Sequence, residues 1–247
     1  MNACSYGLTQ TGSSGVNGDV FYISLDDIIF LLADGASGAG SDGKVLMGKT
    51  CIEIVKEFDY SSSRLDAKEY VDKLFWKINN RLIEISQEHR KLVFGTIDIA
   101  IFDNGVLTVT TFGDSPVFYF DGVESKRIAK NQKKYEWMID SGYITREQYQ
   151  GSINQMHEMM WSCFDYFIPE IVPNNIIEQY KVKPNDILIM CCDGMSDWIS
   201  EDRIFKTLID CRLEDGINKL IVEAKENSLN AKNFFDDITA IAIKWSN

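Results

Sequence analysis

The chain has 247 residues, 45% of them hydrophobic and 25% charged, which is an ordinary composition for a soluble globular protein. Its net charge of −12, from 25 basic and 37 acidic residues, argues against nucleic acid or an anionic membrane as a partner, because binding their phosphates requires clustered Lys and Arg. No apolar run approaches the roughly 20 residues that cross a bilayer, and residues 1–11 lack the basic start and apolar core of a signal peptide, so we expect a cytoplasmic protein.

The first half of the chain predicts two strand hairpins with two helices between them. In chain order the elements are strands Val20–Leu25 and Ile28–Ala33, a glycine-rich loop Gly35–Gly43, helices Lys44–Phe58 and Leu65–His89, and strands Val93–Phe102, Val106–Phe112 and Val117–Phe120. The strands are apolar runs bounded by turn residues, and the second helix carries apolar residues at helical spacing. Asn104-Gly105 between two apolar runs is a strong hairpin signal.

The second half begins with a segment of different composition. Residues 130–173 are rich in Met, Gln, Tyr and Trp and show no strand period, so they are predicted to form helical pieces and loops. The later elements are strands Ile176–Val182 and Ile187–Cys192, helices Glu201–Cys211 and Leu213–Asn227, and strand Ile238–Trp245. Residues 1–247 are therefore predicted to form one α+β domain, with sheets inside and helices outside.

Carboxylates stand at the tips of three predicted buried strands. Asp34 and Asp193 each follow such a strand and precede a glycine, and the pair Asp236-Asp237 precedes the last strand. A carboxylate is costly to bury without a partner, and three such tips suggest one shared partner. A divalent cation is the simplest choice, so the chain is predicted to be a metal-dependent enzyme.

Further acidic residues extend this set, namely Asp19, Asp114 and Asp197. Mg²⁺ and Mn²⁺ favour carboxylate, carbonyl and water ligands, and a glycine beside a ligand lets the backbone carbonyl come close. The alternative interpretation of an Asp-Gly pair is a simple turn, which we prefer for Asp121-Gly122. The combination of positions, rather than any one pair, favours a metal centre.

Other kinds of site have weaker support. The six cysteines form no C-x-x-C pair, so a zinc ribbon or a thioredoxin-type centre is not expected, and Cys191 and Cys192 are interpreted as small buried hydrophobes. His89 and His157 stand in no pattern typical of a metal site or a catalytic triad and are interpreted as structural or surface residues. Gly48-Lys49-Thr50 lacks the upstream glycine of a phosphate-binding loop.

Nearly the whole chain, from about residue 17 to residue 245, resembles the metal-dependent serine/threonine protein phosphatases of the type 2C class, bacterial type. The matching segments are Ala33-Asp34-Gly35 (first D-G loop), Phe94-Gly95-Thr96 and Phe112–Ser115 (central hairpin), Ile187–Trp198 (second D-G segment), Asp236–Thr239 (final D-[ND]-x-[ST] motif) and Met138–Gln150 (flap). Each motif is weak alone, but four of them in this order and spacing are specific.

The resemblance implies a fold and a dinuclear centre. The fold is a four-layer α-β-β-α sandwich, in which helices flank two packed, mainly antiparallel sheets, with a flap-like insertion around residues 130–173. Asp34 is implied to bridge two Mn²⁺ or Mg²⁺ ions, and the Gly35 carbonyl to bind one of them. Asp193 and Asp236 are implied to ligate the other ion.

The implied activity is the hydrolysis of phosphoserine or phosphothreonine on a protein, by a bridging water that attacks phosphorus in line. Asp114 is implied to orient this water without contacting the metal, and Asp197 to help hold a third ion. The implied partner is a phosphorylated protein, either the target of a Ser/Thr kinase or a member of a sigma-factor regulatory system.

The chain departs from the family pattern at three positions. Gly18 replaces a metal-ligating Glu, so Asp19 is expected to act as the ligand there. Ser14 replaces a phosphate-clamping Arg, which leaves substrate binding weaker or dependent on another residue. Ala36 replaces a His that bacterial members also lack. Gly18-Asp19 together with Asp236–Thr239 resembles the branch that acts on sigma-factor regulatory proteins.

Two alternatives stay open because of these departures. One is a catalytically weak or inactive member that binds phosphoproteins or acts as a regulatory module. The other is a metal-dependent hydrolase of small phosphoesters. The Met and aromatic residues of the flap segment either dock a substrate or pack the flap onto the domain, and packing is the preferred interpretation.

Overall fold

The computed structural model describes residues 1–128, 145 and 177–247. Its strands are β1 (Asn2–Gln10), β2 (Val20–Ile23), β3 (Ile29–Gly35), β4 (Gly95–Asp103), β5 (Val106–Phe112), β6 (Val117–Phe120), β7 (Ser125–Arg127), β8 (Ile177–Lys181), β9 (Ile187–Cys191) and β10 (Ile238–Ser246). Its helices are α1 (Gly40–Glu57), α2 (Tyr60–Ser63), α3 (Ala67–His89), α4 (Asp193–Ser196), α5 (Glu201–Asp210) and α6 (Leu213–Lys232), with a 3₁₀ turn at Ser37–Ala39.

The described strands form two five-stranded sheets. Sheet I has the order β1-β10-β9-β6-β7, and sheet II has the order β2-β3-β4-β5-β8. Every neighbouring pair is antiparallel. The longest pairing joins the two ends of the chain, because β1 and β10 are in register from Asn2↔Ser246 to Gln10↔Ile238.

Three apolar layers hold the sheets and helices together. Alternate residues of a strand face opposite sides of its sheet, and in β3 Leu31 packs towards α1 and α3 while Leu32 packs towards sheet I. The layer between the sheets also contains Leu188 and Trp245. A third layer joins the outer side of sheet I to α5 and α6. The predicted α+β, four-layer α-β-β-α sandwich is therefore confirmed.

Most predicted elements are present, and the hairpin between β4 and β5 turns where expected. Asn104 and Gly105 both have positive φ, at 49° and 78°, as the common two-residue hairpin turns require. Two strands were not predicted, β1 and β7. Both lack an apolar run, and β1 forms because β10 supplies a partner along its whole length.

Some predicted boundaries were wrong. Helix α1 begins at Gly40 rather than Lys44, since tertiary packing overrides the low helix propensity of glycine. Helix α6 continues to Lys232, five residues past the predicted end, and the short helix α4 was not predicted. The predicted flap, residues 130–173, lies outside the described residues except for Thr145. None of the described helices combines the length and hydropathy that a membrane crossing requires.

Candidate metal centre

The acidic residues predicted for the site lie at the ends of strands in both sheets. Asp34 is the second-last residue of β3, and Asp193 is the first residue of α4, two residues after the end of β9. Asp236 stands just before β10, the neighbour of β9 in sheet I. Asp19 stands just before β2, where Val20 pairs with Ala33 of β3. The topology therefore brings four distant carboxylates to one end of the sandwich.

Asp19 and Asp34 interact most closely. Burial raises the pKa of Asp34 well above its usual range, and the charges of Asp19, Asp193 and Asp236 raise it further. Burial also raises the pKa of Asp19 to about 6, against the opposing effect of a hydrogen bond with Thr239. The two carboxyl groups are within hydrogen-bonding reach of each other. Two buried carboxyl groups at this separation can share a proton.

Asp193 links this pair to the other predicted carboxylates. Burial raises its pKa to about 7, and the next largest contributions are the charges of Asp114, Asp197 and Asp236. Asp114 is buried, whereas Asp197 and Asp236 are exposed. The structure thus gathers all six predicted acidic residues into one electrostatic cluster, which runs from a buried interior to the solvent.

The turn that carries Asp114 is held in place on two sides. The hydroxyl groups of Thr96 and Ser115 are hydrogen bonded at 2.6 Å, and the Arg127 guanidinium donates to the Asp114 carbonyl at 2.8 Å. Gly113 has a φ of 109°, a backbone conformation that other residues rarely adopt. The carboxylate of Asp114 is therefore presented from a rigid turn after β5.

Sequence reasoning missed the contribution of Cys192. Its Sγ and carboxylate oxygens of Asp34 and Asp193 all lie within 4.8 Å of one another. The Thr239 N–H donates to this sulfur at 3.1 Å. Burial raises the pKa of the Cys192 thiol, and the nearby aspartates add to that effect, so the group is a neutral thiol. Cys192 is buried as predicted, but its position directly before Asp193 was the signal that it borders the site.

Sequence reasoning also missed a hydrogen-bond network centred on Asp237. Its buried carboxylate accepts hydrogen bonds from the backbone N–H of Gly12 at 2.7 Å and of Gly18 at 2.8 Å. It also accepts one from the Lys44 ammonium at 2.8 Å. A methyl group on Gly194 would collide with the Asp237 carbonyl. No sequence pattern relates Gly12 or Lys44 to this motif.

The positions that depart from the family pattern have clear structural settings. A Cβ on Gly18 would lie 2.6 Å from Cδ of Lys44. The Ser14 hydroxyl is exposed and bonds within its own turn, donating to the Val16 carbonyl at 3.0 Å. Ala36 is buried, and its N–H donates to the Phe94 carbonyl at 3.1 Å. Among the described residues of this turn, no guanidinium is available at position 14 to clamp a phosphate.

The donor set fits a hard divalent cation. The Asp19 Oδ2 atom is buried and has no hydrogen-bond partner among the described residues, which is costly for a carboxylate oxygen. Its neighbours are mainly carboxylates, the ligands that Mg²⁺ and Mn²⁺ prefer. A cation would satisfy this oxygen and compensate the burial and the mutual repulsion that together raise the pKa values of Asp34 and Asp193.

Comparison with solved structures identifies the fold. The serine/threonine phosphatase PstP/Ppp of Mycobacterium tuberculosis superposes with a TM-score of 0.81 over 100% of both chains, at 17% sequence identity. The chain has the fold of bacterial serine/threonine phosphatases. The resemblance predicted from the motifs is confirmed at this level.

Two further structures support the same fold. The catalytic domain of PstP, solved in complex with two manganese ions, gives a TM-score of 0.79 at 19% identity over 99% of both chains. Stp1 of Staphylococcus aureus gives 0.76 at 18% identity, covering 98% of this chain and 95% of that one. No family model matches the sequence, and comparison with curated proteins finds no match. At these identities the likeness establishes the fold and leaves the activity to be argued from the site.

Proposed function

We propose that the protein hydrolyses phosphoserine or phosphothreonine on a partner protein in a metal-dependent reaction. The observation that carries the proposal is the convergence of Asp19, Asp34, Asp193 and Asp236 from four strand ends. The fold is shared with a phosphatase that binds manganese. The partner is a phosphorylated target of a Ser/Thr kinase or a phosphorylated member of a sigma-factor regulatory system.

Each carboxylate has a proposed part in holding two Mn²⁺ or Mg²⁺ ions. The charges of Asp19, Asp193 and Asp236 all act on Asp34, so Asp34 would contribute to holding both ions. Asp19 and the Gly35 carbonyl serve one side, and Asp193 and Asp236 serve the other. The exposed Asp197, whose charge acts on Asp193, helps to hold a third ion. When bound, such ions polarise the phosphoryl oxygens and lower the pKa of water.

Asp114 is proposed to orient the attacking water. Its carboxylate is buried beside Asp193, and the contacts of Ser115 and Arg127 fix the turn that carries it. A carboxylate held in this way accepts a hydrogen bond from water and aligns a lone pair with the phosphorus atom. Because water is the proposed nucleophile, the proposed reaction requires no covalent enzyme intermediate.

The test is phosphate release from p-nitrophenyl phosphate and from a phosphothreonine peptide, with Mn²⁺ or with EDTA. Asp34→Asn and Asp193→Asn should each lower kcat/KM by at least about a hundredfold. Removing a residue that only orients a metal ligand typically costs about 10–100-fold, and removing a ligand itself should cost more. Asp210→Asn, at an exposed position on α5, is the matched control. Activity that survives EDTA, or that both variants retain, would overturn the proposal.

A second candidate is a catalytically weak or inactive protein that binds phosphoproteins. Two observations favour it. The stem of Lys44 fills the space beside Gly18, so position 18 supplies no ligand, and the hydroxyl of Ser14 is engaged in its own turn. Calorimetry with Mn²⁺, run beside the activity assay, distinguishes the two. Tight metal uptake without turnover of any phosphopeptide would favour this second function.

A further inference from the structure

We propose that Gly18 and Lys44 form a matched pair, in which Lys44 occupies the space of a side chain at position 18 and, through Asp237, positions the metal centre. The part of the inference that concerns metal binding rests on the proposed function. The part that concerns packing does not. Lys44 is thus a positioning residue, which acts through Asp237 rather than by touching a substrate.

The first support is the space beside Gly18. A Cβ built on this glycine would lie 2.6 Å from Cδ, 2.8 Å from Cγ and 2.8 Å from Cβ of Lys44. Carbon atoms in contact are about 3.5–4.0 Å apart, so even a methyl group does not fit. Two of these three atoms are close to the helix backbone and move little. Any residue larger than glycine at position 18 therefore requires a smaller one at position 44.

The second support is the burial of the ion pair. The Lys44 and Asp237 side chains are only 6% and 4% exposed, and the ammonium lies 2.8 Å from Asp237 Oδ2. On the same helix, Lys49 and Glu53 form a pair at 3.8 Å with both side chains well exposed. An exposed pair contributes little, whereas removing one partner of a buried pair leaves an uncompensated charge.

The third support is what Asp237 connects. Its two oxygens accept hydrogen bonds from Gly12 and Gly18, in the segment that leads to Asp19. Lys44 belongs to α1, which follows Asp34 along the chain. Asp237 itself is the residue after Asp236. One carboxylate therefore ties together three of the segments that carry the proposed ligands, and the Lys44 ammonium pairs with it in the interior.

The first experiment separates charge from stem. Lys44→Met keeps the aliphatic stem and removes the ammonium. It should weaken Mn²⁺ binding by about 10–100-fold, which is the usual effect of removing a residue that orients metal ligands without contacting the metal. Adding Asp237→Asn removes the unpaired charge and keeps an acceptor for one of the two backbone donors, so the double variant should recover part of the affinity. Lys49→Met is the matched control and should bind as the wild type does. Affinity is measured by calorimetry.

The second experiment measures the packing of the pair by thermal unfolding of the metal-free protein. Gly18→Ala should lower the Tm by about 5 °C or more in the wild type and in Lys44→Met, where the stem remains. In a Lys44→Gly background it should lower the Tm much less. Both Lys44 variants leave the Asp237 carboxylate without its ammonium partner, which could itself cause unfolding. The Gly18→Ala comparison is therefore repeated in proteins that also carry Asp237→Asn.

The outcomes are distinguishable. An equal Tm loss for Gly18→Ala in all three backgrounds overturns the packing of the pair. Wild-type affinity in Lys44→Met, or a double variant that binds no better than Lys44→Met, overturns the positioning role alone. A wild-type protein that takes up no Mn²⁺ overturns the proposed function together with that positioning role, and the Tm comparison still decides the packing.

Discussion

Asp98 is a buried acid outside the candidate metal centre. It lies on β4, on the face that carries Ala100 and Phe102 into the layer between the sheets. The side chain is 0% exposed, and neither carboxylate oxygen has a hydrogen-bond partner among the described residues. Burial raises the pKa of Asp98 well above its usual range, although the Arg127 charge opposes this. At neutral pH, Asp98 therefore destabilises the folded state.

The substitution Asp98→Asn should show this effect as a function of pH. The unfolded carboxyl has a pKa of about 3.9, so from that pH upward the folded state binds more protons and loses stability relative to the unfolded state. The variant lacks this loss. Its free energy of unfolding should match the wild type near pH 4 and exceed it by about 1–3 kcal/mol near pH 8.

Urea denaturation across this pH range measures the difference for Asp98→Asn. Asp210→Asn, at an exposed position on α5, serves as the control. A difference between Asp98→Asn and wild type that stays constant with pH would show that Asp98 has a partner in the folded protein.

At the scale of single elements, α3 begins at a defined cap. The Asp66 carboxylate accepts a hydrogen bond from the Glu69 N–H at 2.9 Å, which satisfies one of the free donors at the helix start. The helix then packs Leu74 and Ile78 against sheet II. The start of α3 is therefore fixed by a side chain that the solvent can reach.

Replacing this cap should have a moderate and specific effect. Asp66→Ala should lower the free energy of unfolding by about 1 kcal/mol, since it removes the acceptor for the Glu69 N–H. Asp66→Asn keeps an acceptor and should change stability by a few tenths of that amount. Equal losses in the two variants, measured by denaturant unfolding, would show that the charge rather than the cap matters.

The elements that could be predicted from the sequence are those whose signal is local. The runs that form β3 and β9 are buried on both faces, and their apolar character alone identifies them. β1 gave no such signal, because its strand conformation depends on pairing with residues more than two hundred positions away. The start of α1 at Gly40 likewise depends on tertiary packing.

The candidate site divides in the same way. Carboxylates at strand tips, such as Asp34 and Asp193, can be located from the strands that precede them. The partners of Asp237 could not be located, since Gly12 and Lys44 are far from it in sequence and belong to no motif. A hydrogen-bond network among distant segments leaves no periodic pattern in the chain.

For the molecule as a whole, the acidic cluster should make stability depend on pH and on metal. The raised pKa values of Asp19, about 6, and of Asp193, about 7, mean that the folded state holds protons which the unfolded state releases above about pH 4. Stability of the metal-free protein should therefore fall as pH rises through the range from about 4 to about 7.

Bound metal should reverse this trend, because it requires the deprotonated carboxylates and binds more tightly as pH rises. Mn²⁺ at a hundredfold excess over its Kd should stabilise the protein by about 2.7 kcal/mol. The gain in Tm over an EDTA sample should be larger near pH 8 than near pH 5. Asp193→Asn should reduce the gain, and a gain that is the same at both pH values would contradict the expectation.

The position of β10 has a consequence for how the protein is made. β10 is the last strand along the described chain, yet it lies between β1 and β9 in sheet I. A nascent chain on the ribosome can therefore pair the strands of sheet II before β10 emerges, whereas β1 stays unpaired until β10 is made. Asp236 emerges just ahead of β10. The proposed metal centre would therefore assemble only after β10 has joined sheet I, so metal capture would report on that late pairing step.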